Sequence, residues 1–259
     1  MADTTSNEAS LPVEPPITTT EHEARLVQFG KIYDKLEANK SLDIMVFGSG
    51  KLTIDVENLG LENVSLESLL RAWESKRDTW TARCKELGIE MDPFTVFKFH
   101  HIQRKAFQIL GAPTTNRQKE RNKRYVAEDV VPLSTMKGMA MCSEYAVLET
   151  FIAQKIGEQV HLIVGTTVVG ESKWREAHMY TWIDGINAVL EGTLAVENEF
   201  PALMVATNDE TLQVLEQGFD VECQRIGTKQ TAIYGLEAGG FGASFGPQLP
   251  DTLQKVANG

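Results

Sequence analysis

Ala177-His178-Met179-Tyr180-Thr181-Trp182-Ile183-Asp184, Gly185-Ile186, then Asn187-Ala188-Val189-Leu190-Glu191-Gly192-Thr193 form two β-rich runs joined by the turn pair Asp184-Gly185. Side chains alternate along a strand, so His178, Tyr180, Trp182 and Asp184 share one face. A two-residue loop at Gly185-Ile186 pairs Asp184 with Asn187, Trp182 with Val189, Tyr180 with Glu191 and His178 with Thr193. Glu191 is then a diagonal neighbour of His178 on the same face, with Cβ atoms about 7–8 Å apart, within reach of a glutamate. Asp184 lies about 20 Å along the strand from His178 at roughly 3.3 Å per residue, which makes it a turn residue rather than a partner.

Upstream, Lys137-Gly138-Met139-Ala140-Met141-Cys142-Ser143-Glu144-Tyr145-Ala146 leads into a run with apolar residues at helical spacing: Tyr145, Leu148, Phe151, Ile152 and Ile156, ended by Gly157. Cys142 therefore opens a buried helix over 141–156. Unpaired N–H groups at a helix N-terminus favour a negative charge, and an imidazolium beside a thiol favours the thiolate. Cys142 as nucleophile, His178 as proton shuttle and Glu191 as the carboxylate that holds the imidazole are the parts of a thiol triad.

The order of a cysteine at a helix start, then a histidine and a carboxylate on successive strands, resembles the transglutaminase-like cysteine superfamily, with its papain-like Cys-His-carboxylate triad. Lys137-Gly138 stands for the family's Lys-Gly approach to the nucleophile, and His178-Met179-Tyr180 for its His-Ala-Trp-like strand. Glu191-Gly192-Thr193 stands where the family has an aspartate before Pro-Thr, with glutamate for aspartate and glycine for proline. The resemblance spans about residues 130 to 196. It implies an α+β fold in which a helical N-terminal half packs on a small antiparallel β-sheet, with the nucleophile at a helix N-terminus. It also implies acyl chemistry on amides, by hydrolysis as in a cysteine peptidase or deamidase, or by transfer to an amine as in a transglutaminase. A non-catalytic binding or scaffold protein on the same fold is the alternative, because fold does not fix function. Arylamine N-acetyltransferases resemble the triad order as well, but nothing in the chain marks a coenzyme A site. The resemblance also implies an oxyanion stabiliser made of the Cys142 N–H and an upstream side chain, for which Gln103, Gln118, Asn122, Trp73 and Trp80 are the candidates.

Elsewhere the chain divides into an acidic, Thr/Ser/Pro-rich leader over 1–19, a domain over 20–236 and a flexible Gly-rich tail over 237–259. The domain splits into a helical part (about 20–112) and a catalytic part (about 113–236). Thr20 and Glu23 form a capping box for a helix carrying Leu26, Phe29, Ile32, Tyr33 and Leu36. Leu42–Phe47 and Lys51–Val56 flank Gly48-Ser49-Gly50 as a hairpin. Ser65 caps a helix running through Leu69, Leu70, Trp73 and Trp80 toward Gly88, and Asp92-Pro93 starts another through Phe94, Phe97, Ile102, Phe107 and Leu110 that Gly111 stops. The only basic run, Arg117–Arg124, lacks interleaved aromatics and reads as a solvated helix face or an exposed loop.

A net charge of −11 disfavours a phosphate backbone as partner, so nucleic acid is not expected; a protein or peptide substrate is. The 42 % hydrophobic and 24 % charged composition over 259 residues suits a sizeable core, with no run long enough for a membrane span. The N-terminus lacks a signal-peptide pattern. Cys84, Cys142 and Cys223 form neither a disulfide framework nor a zinc motif, which fits a reducing, cytoplasmic setting without cofactor or metal. Cys84 and Cys223 read as bystanders, His100-His101 as helix residues on different faces, His161 as a strand residue and Tyr145 as core, while Trp182 suits either core or cleft.

Overall fold

The structure, a computed structural model, describes residues 41–45, 49–112, 114–169, 176–192, 200–207 and 220–235. The expected leader, the helix from Thr20 and the Gly-rich tail lie outside the described residues.

The hairpin forms as β1 (Ser41–Met45) and β2 (Ser49–Thr53), antiparallel with Met45 opposite Ser49. A short β3 (Val130–Pro132) then adds parallel to β2. Leu52 and Val131, opposite each other in that pairing, are fully buried and join this three-stranded sheet to the helical core.

Between β2 and β3 run α1 (Val56–Leu59), α2 (Leu66–Glu74), α3 (Arg77–Glu86), α4 (Pro93–Leu110) and α5 (Arg117–Ala127). Ser65 caps α2 through a reciprocal pair with Ser68, each hydroxyl accepting from the other's backbone N–H at 3.2 Å. The single helix expected from Ser65 toward Gly88 is instead two. The chain turns at Ser75-Lys76, where the Ser75 hydroxyl donates to the Ala72 carbonyl at 2.8 Å and Lys76 N–H donates to Trp73 at 2.8 Å. The turn lets Trp73 and Trp80, from separate helices, both pack on Phe97 of α4, at ring-centroid distances of 5.4 and 5.6 Å. Asp92 caps α4 by accepting from Thr95 N–H at 2.9 Å, with Pro93 in the first turn. Gly111, at φ 71°, ends it.

The sheet that follows overturns the expected small open β-sheet beneath a helical half. Strands β4 (Val160–Val169), β5 (Glu176–Ile183), β6 (Ala188–Leu190), β7 (Leu203–Ala206), β8 (Asp220–Arg225) and β9 (Thr231–Gly235) each pair antiparallel with the next. The last returns to the first, so the sheet closes into a barrel. Closure depends on the length of β4, whose residues 160–167 pair with β5 while 166–169 pair with β9. The last two strands carry their own signal. Val221 and Cys223 are buried while Glu222 and Gln224 are exposed, and Ala232 and Tyr234 are buried while Ile233 is exposed. That period-two pattern buries one face and leaves an edge strand unless the sheet closes.

Alternation gives the barrel two faces. Ile163, Tyr180, Trp182, Val189, Met204, Val221, Cys223, Ala232 and Tyr234 meet inside as one apolar cluster. Leu162, Ile183, Ala188, Leu190 and Leu203 point the other way and join the helical core. The helix between β3 and β4, α6 (Cys142–Lys155), lies in that core, with every residue from Ser143 to Ala153 buried. Its apolar residues fill that core, and the polar Ser143, Glu144, Glu149 and Thr150 are buried with them.

The junction of β4 with β9 is tight at Gly165, where a Cβ would stand 2.1 Å from the Gly235 carbonyl oxygen. Only a residue without a side chain permits that approach. Gly165→Ala should therefore strain barrel closure and cost about 1–3 kcal/mol, as overpacking of a filled site does. Chemical denaturation reads this directly, and an unchanged unfolding midpoint would show that the strands do not approach so closely.

Candidate active site at the barrel mouth

Cys142 is the first residue of α6 and is half-buried. The chain reaches it through Gly138, whose φ of 77° is a left-handed conformation that favours glycine. Gly138 N–H donates to Leu110 at 2.6 Å and its carbonyl accepts from Thr114 at 2.9 Å, so the approach to the nucleophile is tied to the end of α4. On the sheet side, the Thr181 hydroxyl of β5 lies 2.8 Å from that of Thr150 and donates to the Ala146 carbonyl at 3.2 Å. These bonds fix α6 on the strand that carries His178.

The hairpin register is the one expected from sequence where the strands are paired, with Trp182 opposite Val189. The connection is longer than the expected two-residue loop, because pairing stops at Ile183 and Ala188 and Asp184–Asn187 stay unpaired in the ladder. Asp184–Ile186 forms a 3-10 turn, and Asn187 takes a left-handed φ of 48°. The strand pairing ends at Leu190, and Glu191 N–H then donates to the Ala202 carbonyl at 2.9 Å. The proposed partner of His178, Thr193, lies outside the described residues.

Glu191 and His178 meet at 2.5 Å, Nε2 to Oε2, with both side chains buried. The Cys142 side chain acts on the imidazole as well and favours its charged form. With Nε2 held by the carboxylate, Nδ1 is the nitrogen left for the thiol. The three residues singled out from sequence are thus brought together at His178. Burial works against the imidazolium, but the Glu191 carboxylate and the Cys142 side chain outweigh it and push His178 up to about 10. Tyr234 on β9 adds a fourth member, donating to the same Glu191 Oε2 at 3.3 Å. Tyr180 stacks beside the imidazole with ring centroids 6.0 Å apart and meets Tyr234 edge-on at 5.0 Å. Trp182, which suited either core or cleft, lies in the barrel interior.

Around the nucleophile's helix start, Glu144 is fully buried and its carboxylate accepts four hydrogen bonds. They come from Arg121 Nε at 2.8 Å, Tyr125 OH at 2.8 Å, Met141 N–H at 2.9 Å and the Ser143 hydroxyl at 3.2 Å. Arg121 also donates to the Ser143 hydroxyl at 2.6 Å. The basic run is therefore not only a solvated face: Arg121 and Tyr125, one turn apart on α5, turn inward and clamp the residues next to Cys142. Tyr125, directly after the run and four residues after Arg121, was the signal for that buried face.

The side chains considered for the oxyanion divide. Gln103 brackets Ala202, accepting from its N–H at 2.7 Å, and so supports the segment that holds Glu191. Trp73 and Trp80 are engaged with Phe97 in the helical core, and Gln118 is exposed. Asn122 buries its Oδ1 on α5 without a partner. The first-turn N–H groups of α6, which no helix can satisfy internally, are the donors the fold itself supplies at Cys142.

The other thiols have no such setting. Burial pushes Cys223, inside the barrel, up to about 12, and burial raises Cys84 as well. His100 lies against Trp80 and burial pushes it down to about 4. Among the described residues no group of three or more His, Cys, Asp or Glu side chains is placed to hold a metal, and no helix is long and apolar enough to cross a membrane.

Compared with family models, curated proteins and solved structures, the chain has no match. The site is therefore read from its own geometry.

The Arg121–Glu144 pair yields a clear expectation. Arg121→Met alone strands a buried carboxylate and should destabilise by about 3–5 kcal/mol, whereas Arg121→Met with Glu144→Leu should recover much of that loss. A double-mutant cycle by denaturation measures it. Additive losses would mean the two side chains do not act as a pair.

Proposed function

We propose that the protein is a cysteine-nucleophile enzyme that cleaves an amide bond through an acyl-thioester, with a protein or peptide as substrate. The observation that carries this reading is the His178 imidazole held between the Cys142 thiol and the Glu191 carboxylate, at 2.5 Å from the latter. The resemblance of residues 130 to 196 to the transglutaminase-like cysteine superfamily supports it.

In this reading His178 takes the Cys142 proton, and the sulfur attacks the substrate carbonyl. The S–C bond forms, the C–N bond breaks, and the proton on His178 leaves with the amine or ammonia. His178 then takes a proton from water, the hydroxide attacks the thioester, and the carboxylic acid departs while the thiol is restored. Glu191 fixes the imidazole tautomer and balances the imidazolium in each half-reaction. Hydrolysis is preferred to amine transfer because it asks only for water, and a second amine would need its own seat.

Cys142 alkylation by iodoacetamide at neutral pH tests the arrangement. His178→Ala should slow it by about tenfold or more, because an ordinary thiol is only a few per cent thiolate there. Glu191→Gln should fall between wild type and His178→Ala. A labelling rate that ignores both substitutions would leave a non-catalytic binding role in front.

A further inference from the structure

Three carboxylates are buried among the described residues: Glu144, Glu149 and Glu191. Two of them are accounted for. Glu144 is paired with Arg121 and hydrogen-bonded by Tyr125, and Glu191 is paired with His178 and hydrogen-bonded by Tyr234. Glu149 is fully buried on α6, seven positions after Cys142, and neither of its oxygens has a hydrogen-bond partner.

Its location makes that orphan state meaningful. At Gly192, the residue after Glu191, a Cβ would stand 2.8 and 3.0 Å from the two Glu149 oxygens and 2.6 Å from the Tyr145 Cβ. The Glu149 carboxyl therefore fills the space a side chain at 192 would need, directly behind the segment that carries Glu191. Among the described residues the charge that acts on it is Glu191 across that segment, and Glu149 in turn acts on Tyr145 one turn back on α6, which also feels Arg117 and Glu144. None of the nearest is a counter-ion.

We propose that Glu149 is a positioning residue that works as a neutral carboxylic acid, seating the Glu191–Gly192 segment while leaving Glu191 as the carboxylate whose charge faces His178. A carboxylate without a counter-ion or hydrogen bonds is more costly in an interior than a bound proton. Burial first, and the Glu191 carboxylate second, raise Glu149 well above the usual carboxylate range. Two neighbouring carboxyls driven apart in this way take different roles, one kept as acid and one as anion. The neutral form matters for the chemistry. A second anion here would hold the imidazolium proton more tightly and make His178 a poorer acid toward the leaving group. The role toward His178 rests on the triad reading, whereas the protonation of Glu149 does not.

The test uses the full chain and two readouts. Infrared spectroscopy at neutral pH should show the C=O stretch of a protonated carboxyl in wild type that is missing from Glu149→Gln. Iodoacetamide labelling of Cys142 should run within about twofold of wild type in Glu149→Gln, whose amide keeps the shape and neutrality of the acid, and should slow about tenfold in Glu149→Ala, which empties the space behind Gly192. No band difference between wild type and Glu149→Gln would overturn the neutral acid. A folded Glu149→Gln as slow as His178→Ala would overturn the positioning role. Glu149→Gln stays decisive even where Glu149→Ala does not fold. If the triad reading itself is wrong, labelling will not respond to His178→Ala, yet the infrared band will remain.

Discussion

The contact between His178 Nε2 and Glu191 Oε2 is the constraint on which the rest of the arrangement hangs. It joins two strands just beyond the point where their ladder ends, so it exists only while the neighbouring elements hold register. On one side, Thr181 ties β5 to α6 and places Cys142 within reach of the imidazole. On the other, Gln103 of α4 holds Ala202, and the Ala202 carbonyl holds the Glu191 N–H. Tyr234 arrives from the last barrel strand and bonds the same carboxylate oxygen. The barrel must close for that phenol to be there, and Gly165 is what lets it close.

Burial sets the chemistry of the site as much as contact does. Charges sit in this interior where each has an answer: Arg121 for Glu144, His178 for Glu191. Such pairs are weak sources of net stability but costly to break, so they fix geometry more than they add free energy. The helix start at Cys142 is the place where these pairs converge. Glu144 stitches Met141, Ser143, Arg121 and Tyr125 together within two residues of the thiol, which leaves Cys142 on a fixed backbone.

The meeting of Cys142, His178 and Glu191 was legible because its signals are local. The apolar period after Cys142, the turn pair Asp184-Gly185 and the alternation along 177–184 each speak within a dozen residues, and the register they imply is the one found at Trp182 and Val189. The barrel was not read, although Val221, Cys223, Ala232 and Tyr234 alternate clearly. Closure depends on β4 meeting β9, a pairing between distant segments that no local window contains. Arg121, Glu149 and Tyr234 escaped for the same reason. Their roles come from what the fold sets against them, and the charges of Arg117–Arg124 looked uniform until one of them turned inward. The break at Ser75-Lys76 was hidden because two helices in sequence share one apolar period until tertiary packing of Trp73 and Trp80 separates them.

The claim at the centre is that a sulfur at this helix start, served by His178, takes an acyl group. Intact-mass spectrometry of the protein acid-quenched during turnover of an activated acyl ester tests it without knowing the natural substrate. The account predicts one acyl group, mapped to Cys142, that forms in wild type, is released by water with time, and fails to form in Cys142→Ser or His178→Ala. Acylation spread over lysines, or a Cys142 adduct that forms equally fast without His178, would contradict it.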